Sequence, residues 1–445
     1  MTRAGMLAQR AGGLAPLGLG LAVAAVVLLG AKWAVLLSLA LVVAGVGVTY
    51  PVTLVCLMWL AMLLDRAGVT GVDLAEFPVT ASKLAVVASL GLWALHVVMS
   101  RAPFVRWHGV LSAMMGVLAS TAFCIAHANS MKSGKFDLYG IAMMAVMVIL
   151  ILAILAEAPL QPVYRFCGVV FVGAMVFSIA GAGGAGEAGR ATGTMGDPNE
   201  WATLVLLTTP FLLGGLLDET RGLWRLLRIM LTMLAPISVF SSGSRSALAV
   251  GILVAIGCIA LLRKQATDLL VAAGASLIAA PAWFERDTLL YRLELLWDNF
   301  RGVAVVHDDS FAERTELFRQ GKALFLEHWL VGAGPGNFER ATGFVSHSGA
   351  LRPAHNTYLE IAAEQGLVGL TTTAIFMCTV GYCLYVGSRA ASPSQSRHRI
   401  LGAGLGLAAL AMMAATLGML TFSTGYLVLG VSLAAVHQAH HGLVR

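Results

Sequence analysis

The sequence predicts an all-α polytopic membrane protein, and three observations predict it. Of its 445 residues, 58% are hydrophobic and only 12% are charged, about half the charged share of a soluble chain. Mean hydropathy is +0.83. The apolar residues come in runs of about 18–20, the length that crosses a hydrocarbon core of about 30 Å. The charges collect between the runs, above all in one long polar stretch. A net charge of +6 therefore bears on orientation in a membrane and does not call for a nucleic-acid partner.

Taken in order, the runs centre on residues 12–30, 33–49, 51–64, 81–99, 110–127, 138–156, 166–182, 201–217, 226–241, 247–262, 268–283, 357–388, 400–418 and 420–438. These are fourteen candidate spans. The third is short and the run after His355 is long enough to include a surface helix, so twelve is the other reading. Either even number leaves both termini on one face. The opening MTRAGMLAQR with the run behind it resembles a signal peptide, but more spans follow at once, which favours an uncleaved first helix. Cys56, Cys124, Cys167, Cys258, Cys378 and Cys383 fall in or beside apolar runs, with no CxxC spacing. They read as small buried hydrophobes, neither a disulfide framework nor a zinc site. Short segments on the N-terminal side hold fourteen Lys and Arg against seven on the other, so the N-terminus is expected in the cytoplasm.

The chain thus divides into an N-terminal bundle of about eleven spans (1–283), a large outward loop domain (284–356) and about three C-terminal spans (357–445). The stretch from Phe284 to Arg352 holds ten of the 23 acidic and eight of the 29 basic residues. A loop of that length is expected to be ordered. Within it Phe311, Phe318, Phe325 and Trp329 recur at helical spacing with charges between them, as in a helix lying on the bundle. VGAGPGNF then ends that helix.

Four outward-facing places hold residues that are costly near a bilayer. In GGAGEAGRATGTMGDPNEW, Asp197 or Asn199 would cap the next helix with Pro198 early in it. Arg190, in the same stretch, is an anion ligand or a headgroup-level anchor. In SSGSRSAL, Arg245 occupies a very short turn between two runs; it either snorkels to lipid phosphate or binds an anion at a helix start. Arg314 shares a helical face with Phe318, Gly321 and Phe325, where it needs a partner: an ion pair to Glu313 or Glu316, or a ligand. Finally, in RPAHNTYLEIAAEQGLVGL, Asn356 or Thr357 would cap a helix, with Thr357 to Glu360 fitting a capping box. His355 is left over beside that helix start, as an inert loop residue or as a group able to accept a proton.

Arginine forks suit pyrophosphate oxygens, and a neutral histidine suits an attacking hydroxyl. Together they would fit displacement of a pyrophosphate from a lipid-linked substrate, by positioning and charge stabilisation. No paired carboxylates, DxD-like motif or metal-ligand cluster stands out on the outer side; His307-Asp308-Asp309 reads as a solvated loop. The expectation is metal-independent chemistry without a cofactor.

The same residues carry a resemblance. ERTELFRQGKALFLEHWLVGAGPGNF followed by RPAHNTYLEIAAEQGLVGL resembles the signature region of the O-antigen ligase and polymerase superfamily. In that pattern an Arg opens an amphipathic helix (Arg314), a G-x-G-x-x-x-F turn follows (Gly332, Gly334, Phe338), then H-N-x-Y-L (His355, Asn356, Tyr358, Leu359) and E-x-G-x-x-G (Glu364, Gly366, Gly369). GSRSAL and GDPNEWA resemble two further motifs of the family. The resemblance covers roughly 183–388 and implies a GT-C-type helical bundle in the bacterial inner membrane, its site facing the periplasm. It implies transfer of a glycan from undecaprenyl pyrophosphate to the lipid A core oligosaccharide or, in polymerases, to another lipid-linked unit. By motif position, Arg245 and Arg314 would hold the pyrophosphate and His355 would activate the acceptor hydroxyl, with inversion. Arg190 is added to the arginines from its position and charge alone. Asn356, Tyr358 and Asn199 are supporting candidates. A lipid-linked glycan transporter is the rival from another class, but it would call for ionisable residues near mid-membrane or a repeat relating two halves. The runs show neither.

Overall fold

The computed structural model describes residues 44–64, 73–74, 77–78, 80–100, 108–128, 131–182, 190–217, 219, 222–262, 309–344, 353–391, 396–418 and 422–441. The expected spans at 12–30 and 268–283, and most of that at 33–49, lie outside them. Every other expected span that falls among them forms a helix. These are α1 (Val52–Leu64), α2 (Ala81–Ser100), α3 (Gly109–Ala126), α4 (Met131–Leu155), α5 (Gln161–Ala182), α6 (Pro198–Leu216), α7 (Gly222–Ser242) and α8 (Arg245–Leu262). After them come α9 (Asp309–Glu327), α10 (Phe338–Thr342), α11 (Thr357–Ala390), α12 (Ser396–Met413) and α13 (Ser423–His440). Among the described residues the fold is helical apart from a two-residue antiparallel pair, β1 (Asp73–Leu74) on β2 (Phe77–Pro78), which the hydrophobic pattern does not announce.

Six of the helices, α2, α3, α4, α5, α7 and α11, are long and apolar enough to cross a membrane, and α1 and α8 are shorter apolar helices. Their outer faces leave large apolar side chains uncovered, such as Val98 at 77% exposed and Tyr382 at 70%, as suits contact with lipid. The molecule is polytopic and membrane-embedded.

Inside, Trp59, Tyr164, Phe171, Trp201 and Phe211 are fully buried. Trp59 meets Phe171 edge to face at 6.5 Å, and Phe211 stacks obliquely on Tyr164 at 4.9 Å, geometries that favour aromatic pairs. The closest helix crossing joins α6 to α12. Side chains at Gly402 and Gly406 would run into the backbone carbonyls of Pro210 and Leu207, and one at Gly214 into that of His398. Three glycines thus let two backbones touch, the small-xxx-small device of membrane helix packing. At the far end of α6, buried Arg228 donates to the carbonyls of Leu216 (2.9 Å) and Glu219 (2.7 Å), answering the orphan acceptors of a helix terminus.

The face of α9 differs from expectation. Leu317, Gly321 and Leu324 are buried, whereas Phe318 and Trp329 are 54% and 55% exposed. The reason is Gly321, where a Cβ would stand 2.9 Å from Leu359 and from Phe338. The helix rolls to bring its one side-chain-free position against those two residues, and Phe318 and Trp329 turn outward.

Replacing Gly402 with Ala is expected to cost about 1–3 kcal/mol by overpacking, while Gly404→Ala, whose Cβ would meet only Leu384 at 3.8 Å, should be near neutral. Thermal unfolding of the two variants in detergent checks this; equal melting temperatures would refute the close crossing.

Candidate functional site

The site begins where α6 begins. Asp197 is extended and caps the helix, its Oδ1 accepting from Asn199 N at 2.7 Å and Glu200 N at 3.0 Å, with Pro198 next. That is the arrangement expected from DPNE. Before it, the chain crosses over Trp201. Gly193 has φ +55°, and a Cβ there would overlap the indole ring, so only glycine fits. This strap is fastened to the end of α7: Ala191 N donates to Ser241 O at 2.9 Å and Arg190 Nε to Ser242 O at 2.8 Å. Gly243, at φ +63°, then reverses the chain in two residues, and Ser244 Oγ accepts from Ala247 N at 3.4 Å as α8 starts on Arg245.

Arg190, Arg245 and Arg314 come together here. Burial lowers the Arg190 guanidinium below its ordinary value; Asp197 opposes this, and the positive charges of Arg245 and Arg314 add to it. The charges of Arg245 at the start of α8 and Arg314 on α9 thus reach Arg190 on the strap, as does the carboxylate of Asp197. Glu316, one of the acids considered as a partner for Arg314, is held by Arg319 at 2.6 and 2.8 Å and by Gln320 at 2.8 Å.

The second half of the site is built on α11. Asn356 caps it, Oδ1 accepting from Tyr358 N at 3.0 Å and Leu359 N at 3.1 Å. The expected capping box between Thr357 and Glu360 does not form. Thr357 is already inside the helix, and its hydroxyl donates to Leu417 O at 2.7 Å, while its N–H reaches Ala414 O and Leu417 O. Glu360 is thereby freed to face a cavity. Tyr358 turns its hydroxyl to Ala411 O at 2.7 Å, and the carbonyl of Asn199 accepts from Thr203 at 2.8 Å. His355 adopts φ +49°, alone among the non-glycine residues described.

Two turns into α11 the helix breaks at Gly366, with φ +59° and ψ −152°. The glycine loop docks into the break. Glu364 accepts from Gly336 N at 2.9 Å and Phe338 N at 2.8 Å, and its carbonyl accepts from Gly334 N at 2.8 Å. Leu367 N and Val368 N donate to Trp329 O and Leu330 O at 2.8 and 3.1 Å. A side chain at Gly366 would strike the Leu330 backbone, and one at Gly332 the Glu364 backbone. Gly332, Gly366 and Glu364 of the two motifs thus each have a physical role.

His355 opens on a cavity of ≈ 270 Å³ whose wall includes Asp137, Asp197, Glu200, Glu360 and Glu364. No paired carboxylates stand out here in the sequence, yet the fold gathers five in one wall. Asp137 lies 218 positions before His355 in the chain, so only folding brings the two together. Glu360 reads in the sequence as part of a capping box and Glu364 as the acid of the E-x-G-x-x-G motif; the fold brings both to this wall. A second, apolar cavity of ≈ 300 Å³ lies among α3, α4, α11, α12 and α13 and shares Thr357 and Ile361 with the first. Among the described residues no three of His, Cys, Asp and Glu are placed to hold a metal ion.

Residues 229–374 match the family model described as O-antigen ligase. The match supports the O-antigen ligase and polymerase superfamily. The O-antigen ligase region spans Arg245, Arg314, the glycine loop, His355 and the break at Gly366; Arg190 and Asp197 lie outside it. No curated protein matches the chain. The family points to an enzyme acting on lipid-linked glycans in a membrane.

Removing the Glu364 carboxylate (Glu364→Ala) is expected to leave two backbone N–H groups without their acceptor, at about 1–3 kcal/mol each. Hydrogen exchange should quicken at the Gly336 and Phe338 amides. Unchanged protection there would mean the loop is held by something else.

Proposed function

We propose that the chain is a GT-C-type, inverting glycosyltransferase that moves a glycan from undecaprenyl pyrophosphate to the lipid A core oligosaccharide on the periplasmic face of the inner membrane. The observation that carries this is the gathering of Arg190, Arg245 and Arg314 in one field, next to a cavity that His355 lines. The apolar cavity beneath suits a substrate that is polar at one end and hydrocarbon at the other.

In this reading the acceptor hydroxyl oxygen attacks the anomeric carbon of the donor sugar. The bond from that carbon to the pyrophosphate oxygen breaks, and its electron pair leaves with the lipid pyrophosphate. His355 takes the hydroxyl proton. The arginines hold the pyrophosphate and offset the charge that grows on its leaving oxygen, by charge-assisted and forked hydrogen bonds. Attack from the opposite side inverts the anomeric centre. Asn356 fixes the helix start behind His355; Asn199 and Tyr358 support the two helices that face the site.

A polymerase on the same scaffold is the second reading, favoured by the same family match, since ligases and polymerases share it. Purified protein given the lipid-linked glycan, with lipid A core acceptor supplied or withheld and EDTA present, separates the two by gel and mass spectrometry. Acceptor-dependent transfer of one glycan block that survives EDTA is expected of a metal-independent ligase. A ladder of lengthening lipid-linked chains without the acceptor would make it a polymerase.

His355→Ala should abolish transfer, by about 10²–10⁴-fold as for loss of a general base, with an unchanged melting temperature because the side chain is only half-buried. A wild-type rate would refute the assignment. Arg245→Ala and Arg314→Ala should weaken binding of the pyrophosphate lipid, and Arg314→Lys should not restore it, because a point charge lacks the fork. Unchanged affinity in both alanine variants would make these arginines structural.

A further inference from the structure

We propose that the carboxylate-walled cavity beside His355 is the subsite for the acceptor sugar, and that it favours uncharged polyhydroxyl acceptors over phosphorylated ones. This rests on the reading of His355 as the group that takes the acceptor's proton. A general base must reach the hydroxyl it deprotonates, so the ring bearing that hydroxyl occupies the space His355 lines. None of the three arginines is among the residues that line it. The donor's pyrophosphate and the acceptor's ring thus fall on different chemical ground.

The wall is specific in what it offers. Glu364 is committed to the Gly336 and Phe338 amides, and Asp197 to the start of α6. Asp137 and Glu360 are different: no hydrogen-bond donor reaches either carboxylate among the described residues. Glu360 also faces the like charges of Asp137 and Glu339, and a Cβ on Gly418 would stand 3.5 Å from its Oε2. Both side chains are partly buried and line the cavity, so their oxygens are open to donors that a ligand brings. The arrangement makes sense when a ligand brings the donors. Carboxyl oxygens accept from sugar hydroxyls, whereas a phosphate, itself an acceptor, meets no Lys or Arg among the residues that line this cavity.

The test uses purified full-length protein, an undecaprenyl-pyrophosphate-linked glycan as donor, and two acceptors: a lipid A core oligosaccharide, and the same material stripped of phosphate with hydrogen fluoride. If neither accepts, a short lipid-linked repeat unit takes their place, intact and with any acidic substituent removed. Glu360→Gln and Asp137→Asn keep the side-chain volumes; should one fail to fold, the other carries the measurement. The acceptor KM is expected to rise about tenfold or more, equivalent to about 1.4 kcal/mol of binding, with the donor KM within about twofold. Wild type should prefer the phosphate-free acceptor, and the variants should lose part of that preference. A rise in donor KM alone, an acceptor KM unmoved in both variants, or a wild-type preference for the phosphorylated acceptor would each overturn the proposal. Failure here with His355→Ala still inactive sinks the subsite alone; an active His355→Ala sinks the reading beneath it.

Discussion

One carboxylate ties the helix that carries Arg314 to the helix that follows His355. Glu364 sits in α11, and its oxygens take the backbone N–H groups of Gly336 and Phe338. The helix breaks two residues later, and the peptide groups after the break bond to Trp329 and Leu330. The loop so fixed is the continuation of α9, which carries Arg314, while the start of α11 carries His355. Gly321 adds a side contact, since it lets Leu359 of α11 and Phe338 of the loop lie against α9. The proposed phosphate-binding helix and the proposed base are therefore parts of one hydrogen-bonded unit. Backbone groups left unpaired near a membrane cost more than they would in water, so this unit has few alternatives.

The other half of the site is placed by helix packing. The glycine crossing sets α12 directly on α6; α6 begins at Asp197, and just beyond α12 lies Leu417, whose carbonyl receives Thr357. Contact between two backbones leaves little room for sliding. The strap with Arg190 is tied to the end of α7, and α7 turns within two residues into α8 and Arg245. Each charged group is thus fixed by the end of a helix whose position the apolar core decides. The polar chemistry lies at one end of the bundle because helix ends are where capping side chains and free backbone groups are found.

Much of this was legible in the chain. DPNE announced a capped start, GSR a tight reversal and HN a second cap, because capping and left-handed turns depend on a few neighbouring residues. The six candidate spans among the described residues were legible from length and apolarity alone. What depended on distant neighbours was not. The roll of α9 follows from Gly321 meeting Leu359 and Phe338, and no periodicity contains that fact; the aromatic stripe pointed the wrong way. The capping box failed because Thr357 found a carbonyl on another helix. Asp137 carries no signal in the sequence, and only folding brings it into the cavity wall that His355 also lines. Glu364 stood in a recognisable motif, yet its role as the acceptor for a loop nearly thirty residues away appears only in three dimensions.

The backbone of His355 shows what the arrangement costs. A left-handed conformation in a residue with a Cβ is unfavourable by roughly 1–2 kcal/mol, and such strain persists only where the surroundings fix it. They do so on both sides. Pro353 restricts the approach, and on the far side Asn356 caps α11 while Thr357 is bonded through both its N–H and its hydroxyl to the end of α12. Relaxing His355 to an extended conformation would turn its ring away from the cavity or pull Thr357 off Leu417. On the proposed reading the strain serves to position the imidazole, and the α11–α12 junction belongs to the candidate site as much as the arginines do.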